Sequence, residues 1–206
     1  MRAAVLVLSL SLLAPALHAQ EQEFERPDDW TVRFDRAGSP DSAIYFVSMP
    51  PGWHITTGPA AILYDPARVV HGEYRVESFI HLFPVERNEA FGVFLGGSDL
   101  EGSAQAYTYF LIRKDGKFLI KERSGSDTRV IHPWTESTAI VKYEGQEGTA
   151  KNQLAVEVGS DTVDFFVNGE KVASLPRSEV KTDGIVGLRV NHGLNLHVTS
   201  LDIAQT

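Results

Sequence analysis

From Trp30 onward, apolar and polar side chains alternate at every second residue over most of this chain. A strand points successive side chains to opposite faces, so this spacing buries one face and wets the other. In residues 72–83, Tyr74, Val76, Ser78, Ile80 and Leu82 share one face. Glu73, Arg75, Glu77, Phe79, His81 and Phe83 share the other. The pattern returns at Leu154, Val156 and Val158, at Val163, Phe165 and Val167, at Val186, Leu188 and Val190, and at Leu194, Leu196 and Val198. Residues 43–48, 91–95, 106–113, 117–123 and 138–143 are further strand candidates. Outside residues 1–19, no window of ten or more residues keeps a helical period. Asp115-Gly116 and Asn168-Gly169 separate strand candidates and suit tight hairpin turns that need positive φ. Asp183-Gly184 opens the next strand. The chain therefore reads as about eleven to thirteen short antiparallel strands. The fold class is all-β, a two-sheet antiparallel jelly-roll sandwich larger than an immunoglobulin domain.

The start of the chain breaks this pattern. Arg2 precedes an apolar run over residues 3–13, too short to span a bilayer, which needs roughly 20 residues. Small residues and Pro15 follow, up to Ala19. That order predicts a secretory signal over residues 1–19, cut after Ala19, and a secreted or periplasmic protein with no membrane insertion. Residues 20–29 are polar and acidic and read as a flexible lead-in, and residues 30–206 as a single domain. Apolar residues are 43% of the chain, enough for a core. Nineteen Lys and Arg against 27 Asp and Glu give a net charge of -8, which argues against a nucleic-acid partner. With no cysteine, the chain has no disulfide, no thiol nucleophile and no lipidated cysteine.

Several segments, in order, resemble the concanavalin A-like lectin/glucanase superfamily in its laminin-G-like bacterial branch. Gly72-Glu73-Tyr74-Arg75-Val76-Glu77 looks like its G-x-Y strand. Residues 91–97 look like the strand that follows it, rich in small residues, and residues 109–118 like its long hairpin. Asn152-Gln153-Leu154-Ala155-Val156 with Phe165-Phe166-Val167-Asn168-Gly169 looks like its N-x-L-x-V and F-x-V-N-G hairpin. Residues 184–190 look like its G-x-v-G-l strand. The resemblance covers about residues 59–203 and implies a jelly roll used by lectins, glycoside hydrolases and adhesion modules. The 3-keto-disaccharide hydrolase-like branch shares the closing segments, but its N-S-G-x-x-x-R strand is replaced here by residues 90–97, without that Asn or Arg. The E-x-D-x-x-E strand of the retaining glucanases is absent as well.

A sugar site needs aromatic faces for C–H surfaces, and carboxylates, amides and Arg for hydroxyls. The expected contact set is Arg75, Glu77, Phe79, His81, Tyr109, Trp134, Arg189, Asn191 and His197, gathered in one polar and aromatic groove. Arg75 and Glu77 suit a solvated charge ladder equally well. Carbohydrate is the expected partner. The first rival is a glycoside hydrolase using Glu77 with another acid of the groove; no catalytic residue is assigned, because cross-strand partners are not visible in sequence. The second rival is an interaction module without a small ligand. No cofactor is expected and no metal ligands are assigned. The resemblance leaves room for calcium at the rim, where residues 98–101 and 161–164 are the densest acidic loops.

Overall fold

A computed structural model describes residues 24–145 and 147–205. The signal segment 1–19 lies outside the described residues. In chain order the strands are β1 Thr31–Phe34, β2 Ile44–Ser48, β3 Trp53–Thr57, β4 Ala61–Val70, β5 Tyr74–Leu82, β6 Ala90–Ser98 and β7 Ala106–Arg113. They continue as β8 Lys117–Ser124, β9 Asp127–Glu136, β10 Ala150–Val158, β11 Thr162–Val167, β12 Glu170–Pro176, β13 Gly184–Val190 and β14 Asn195–Gln205. Two 3-10 turns are the only helical elements among the described residues. No helix among these residues is long and apolar enough to cross a membrane.

All the pairings are antiparallel and build two seven-stranded sheets. The first runs β1-β4-β13-β6-β7-β8-β9 and the second β12-β11-β10-β5-β14-β3-β2. Their inner faces meet in one apolar layer. Leu63, Val93, Phe110, Ile120 and Leu188 of the first sheet pack with Val76, Ile80, Leu154, Phe165 and Val198 of the second. Trp30 anchors the edge of this layer against Phe46 and Trp53, with the Arg68 guanidinium over both indoles. The lead-in is tied down before Trp30, because Ser48 N–H donates to Glu25 C=O at 2.8 Å.

The hairpin signals correspond to real turns. Gly116 joins β7 to β8 with φ +84°, and Asn168 and Gly169 join β11 to β12 with φ 50° and 83°. Residues 138–143, expected as a strand, instead form an irregular connection between β9 and β10. The Asn152 side chain bonds both the N–H and the C=O of Val141, and Asn168 Nδ2 bonds Ala139 C=O. Those backbone groups are satisfied by side chains and have no need of a neighbouring strand.

Outside the inter-sheet layer, the first sheet carries a second apolar cluster on its outer face. Ile62, Tyr64, Phe94, Leu100, Tyr107, Tyr109 and Leu111 are all buried there. Gly92 is the one position of β6 paired with both Arg189 of β13 and Leu111 of β7. A Cβ added at Gly92 would lie 2.1 Å from the carbonyl oxygen of Phe110, a backbone atom that cannot rotate aside. Gly92→Ala is expected to lower Tm by roughly 6–12 °C, about 3 kcal/mol of forced backbone movement. Thermal unfolding followed by circular dichroism checks this, and an unchanged Tm would refute the close approach.

Candidate functional site

The nine residues expected to share a groove divide between the two outer faces. Arg75, Glu77, Phe79 and His81 lie on β5 and His197 on β14, all on the second sheet. Tyr109 lies on β7, Trp134 on β9 and Arg189 on β13, with Asn191 directly after it, all on the first. Two sheets stacked about 10 Å apart separate these sets, so the single groove of the sequence reading does not form. Alternation decides whether a side chain faces in or out; it carries no information on which sheet the strand joins.

The second sheet's outer face is a charge ladder. The Arg75 guanidinium sits 2.9 Å from Glu77 and 3.4 Å from Glu157, and it covers the Phe166 ring at 5.3 Å. Lys171 pairs with Asp164 at 2.6 Å, and the Lys151 ammonium lies 5.0 Å from the Phe79 ring centre. Phe79 is therefore covered by a cation of its own sheet. His197 stands in register between His54 and His81. Burial, then the charge of His197, lowers the pKa of His54; burial, then Lys151 and His197, lowers that of His81.

The first sheet's outer face is built differently. β1 ends at Phe34, and Asp35 follows with its N–H bonded to Ala60 C=O, which fixes the carboxylate over β13. Both terminal nitrogens of Arg189 donate to it, Nη1 to Oδ1 and Nη2 to Oδ2, each at 2.6 Å. The Arg189 Nε–H donates to Asn191 Oδ1 at 3.2 Å, so each of the three guanidinium nitrogens makes a bond. Arg189 is only 6% exposed. Arg123 of β8 approaches the same carboxylate at 3.8 Å. The rings of Tyr107 and Tyr109 lie 5.6 Å apart, with the Arg189 guanidinium 5.9 Å from Tyr109.

These groups perturb one another. Burial alone would raise the pKa of Asp35; the Arg189 hydrogen bonds and charge, then Arg123, outweigh it and hold the carboxyl below its ordinary range. Burial pushes the Tyr109 phenol up to about 12, against the opposing charge of Arg189. Asp35 is therefore ionised and Tyr109 neutral at pH 7.

Beside this network opens a cleft of about 420 Å³ lined by Asp35, Tyr109, Lys121, Arg123, Trp134 and Asn191, with Leu111 and Leu119 in its floor. Trp134 is 37% exposed, and the Arg113 guanidinium stacks 4.2 Å from its ring centre, itself held by Asp115. One indole face is thus occupied by a fixed cation, which orients the ring at the mouth. A second hollow of about 340 Å³, lined by Arg33, Arg36, Tyr64 and Glu101, also has Asp35 in its wall. Arg33 bonds the carbonyl oxygens of Leu100 and Gly102 and so ties the loop after β6 over that end of the sheet.

Asp35 is the only carboxylate among the described residues lining the larger cleft. It is held at both oxygens by an arginine. Such a group can accept hydroxyls through its remaining lone pairs, while a glycosidase needs two carboxyl groups flanking one bond. Glu77, considered for acid chemistry, is on the opposite face in the ladder with Arg75.

Three charged lining residues lay outside the expected set: Asp35, Lys121 and Arg123. Lys121 and Arg123 were legible, since they share one face of the 117–123 strand at spacing two. Asp35 follows a four-residue strand too short to show a period, and nothing in sequence links it to a residue 154 positions later.

No protein-family model and no curated protein matches the chain. Solved structures do, and what they share with this chain is the two-sheet jelly-roll sandwich. Carbohydrate-binding module CBM66 from Bacillus subtilis aligns with TM-score 0.63 at 12% identity, over 86% of this chain and 96% of its own. A Bacteroides ovatus GH16 protein in complex with the product G4G4G3G aligns with TM-score 0.60 at 9% identity, over 87% and 96%. Sheep galectin-11 aligns with TM-score 0.50 at 15% identity, over 76% and 99%. At these identities the likeness is one of fold.

Proposed function

We propose that this protein binds a saccharide without cleaving it, in the cleft on the outer face of the first sheet. The observation that carries the reading is the union, in one open cleft, of an oriented indole with a preorganised carboxylate and amide. Trp134 stacks on the apolar face of a sugar ring. Asp35 accepts hydroxyl protons, and the Asn191 Nδ2, whose Oδ1 is taken by Arg189, donates to ring or hydroxyl oxygens. Arg189 is a positioning residue, because it is buried and each of its nitrogens bonds Asp35 or Asn191. Preorganisation by a buried ion pair lowers the ordering cost of binding. Lectins, binding modules and glycosidases on the same fold support a sugar partner by analogy. In this reading the site works outside the cytoplasm, which the signal-like order of residues 1–19 supports.

The test is a glycan array followed by calorimetry on the glycans retained. Trp134→Ala is expected to weaken binding about tenfold or more, with Tm little changed because the ring is at the surface. An array that stays blank, with no Tm shift under saturating sugars, overturns the proposal. Turnover of a bound oligosaccharide would overturn its non-catalytic part.

A further inference from the structure

Lys121, Arg123 and Arg189 line the larger cleft together with a single carboxylate, Asp35. Arg189 and Arg123 share that carboxylate, at 2.6 and 3.8 Å. Lys121 pairs with no carboxylate among the described residues. The cleft therefore holds more positive than negative charge, in a chain whose balance is 19 basic residues against 27 acidic. Several surface cations elsewhere are matched, Arg75 by Glu77 and Glu157, Lys171 by Asp164, and Arg129 and Lys181 by Glu122, while Lys114 bonds backbone carbonyls and Lys151 lies over Phe79. In the cleft the surplus is gathered in one concavity over the low-dielectric floor of Leu111 and Leu119, which strengthens its field.

A neutral sugar can use the N–H donors of these cations but draws nothing from their net charge, because amide donors would serve its hydroxyls as well. We infer that the ligand of this cleft is an acidic saccharide, whose carboxylate or sulfate sits between Lys121 and Arg123 while its ring stacks on Trp134. This deepens the saccharide reading and rests on it. Asp35 sets the limit of the anion's approach. It repels a negative group placed over Arg189, so the acidic substituent belongs on the β8 side of the cleft and the hydroxyls on the β13 side.

The experiment is an array pairing uronate-bearing and sulfated glycans with their neutralised counterparts, methyl-esterified or desulfated on the same sugar skeleton. Binding is expected on acidic members and is expected to fall about tenfold on neutralisation. The uronate and sulfate arms separate the two sources of charge. Affinity is expected to drop about tenfold between about 50 and 500 mM salt. Lys121→Gln is expected to weaken it about fivefold and to flatten that salt dependence. Lys151→Gln, the same charge change on the opposite sheet, is expected to leave it unchanged. Equal binding of acidic and neutralised forms, or no effect of Lys121→Gln, overturns the inference and leaves the saccharide reading standing. A wholly blank array overturns both.

Discussion

Asp35→Asn is expected to unfold about 3 kcal/mol more readily than the parent protein at pH 7. The substitution conserves shape and volume, so the loss reports charge and hydrogen bonding. Arg189 is the reason for its size. With its guanidinium buried on the outer face of the first sheet, it directs two 2.6 Å charge-assisted bonds at this one carboxylate. An amide keeps one acceptor, turns an NH2 toward the other guanidinium nitrogen, and leaves a buried cation without its counter-ion. Breaking a buried pair from one side costs about 3–5 kcal/mol, and the low end applies because the Asp35 side chain is 31% exposed.

The same pair gives the wild type an acid-labile component of stability. Arg189 and Arg123 hold the folded-state pKa of Asp35 below its unfolded value, even though burial alone would raise it. A depressed carboxyl pKa adds stability that is complete above the unfolded value, about 3.9, and is lost as pH falls through the folded value. Urea titrations from pH 7 down to about pH 3 should therefore show the gap between parent and Asp35→Asn closing below about pH 4. A gap that is constant with pH, or absent at pH 7, would mean the Asp35–Arg189 pair contributes nothing to folding.

The division of the expected contact set shows what a period of two can and cannot reveal. Arg75 with Glu77 and Arg189 with Asn191 are the same sequence pattern, two polar residues at spacing two alternating with apolar ones. Their fates differ because β5 lies between β10 and β14 in one sheet, and β13 between β4 and β6 in the other. Those pairings join segments far apart in the chain and depend on sheet topology, which local alternation does not encode. Strands escaped notice for physical reasons too. At Ala61, Ile62, Leu63 and Tyr64, β4 is buried on both faces, by the core and by the outer cluster, so its apolar run has no polar phase. β9 is a mostly exposed edge strand containing Pro133, tolerated where no further strand requires its N–H. Tyr109 and Arg113 share a face by their spacing, and Tyr109 lines the cleft. That Arg113 lies over Trp134 follows from the pairing of β7, β8 and β9, beyond the reach of spacing.

Asn152→Ala is expected to cost about 2–4 kcal/mol, out of proportion to the few atoms removed. Asn152 is 1% exposed, inside a sandwich whose neighbouring side chains are apolar. Its Oδ1 accepts from Val141 N–H and from Asn168 Nδ2, both at 2.8 Å, and its Nδ2 donates to Val141 C=O at 3.0 Å. Asn168 extends the network, donating to Ala139 C=O at 2.7 Å and accepting from Gln153 N–H at 2.8 Å. The two amides thus act as a substitute strand for both backbone groups of Val141 and for Ala139 C=O, while the Ala139 and Ile140 N–H groups go to Ser137. That segment also seals the core, since Ala139 and Ile140 are buried in the inter-sheet layer. Truncation to Ala leaves a donor and an acceptor of Val141 and one arm of Asn168 unmet at once, each costing about 1–3 kcal/mol if still buried. The sum is reduced because the Val141 side chain is half exposed, so its released backbone can turn to water. Relief of that kind has a signature: the Val141 amide should exchange with solvent much faster in the variant, while amides at the centre of β10 change only with global stability. Asn152→Asp should be worse than Ala, because a carboxylate sets a negative charge against Val141 C=O and has no donor to offer it. Denaturant unfolding of the three proteins separates the cases. If Asn152→Ala stays within about 0.5 kcal/mol of the parent, residues 139–141 are held by burial of Ile140 alone and the amide network is incidental.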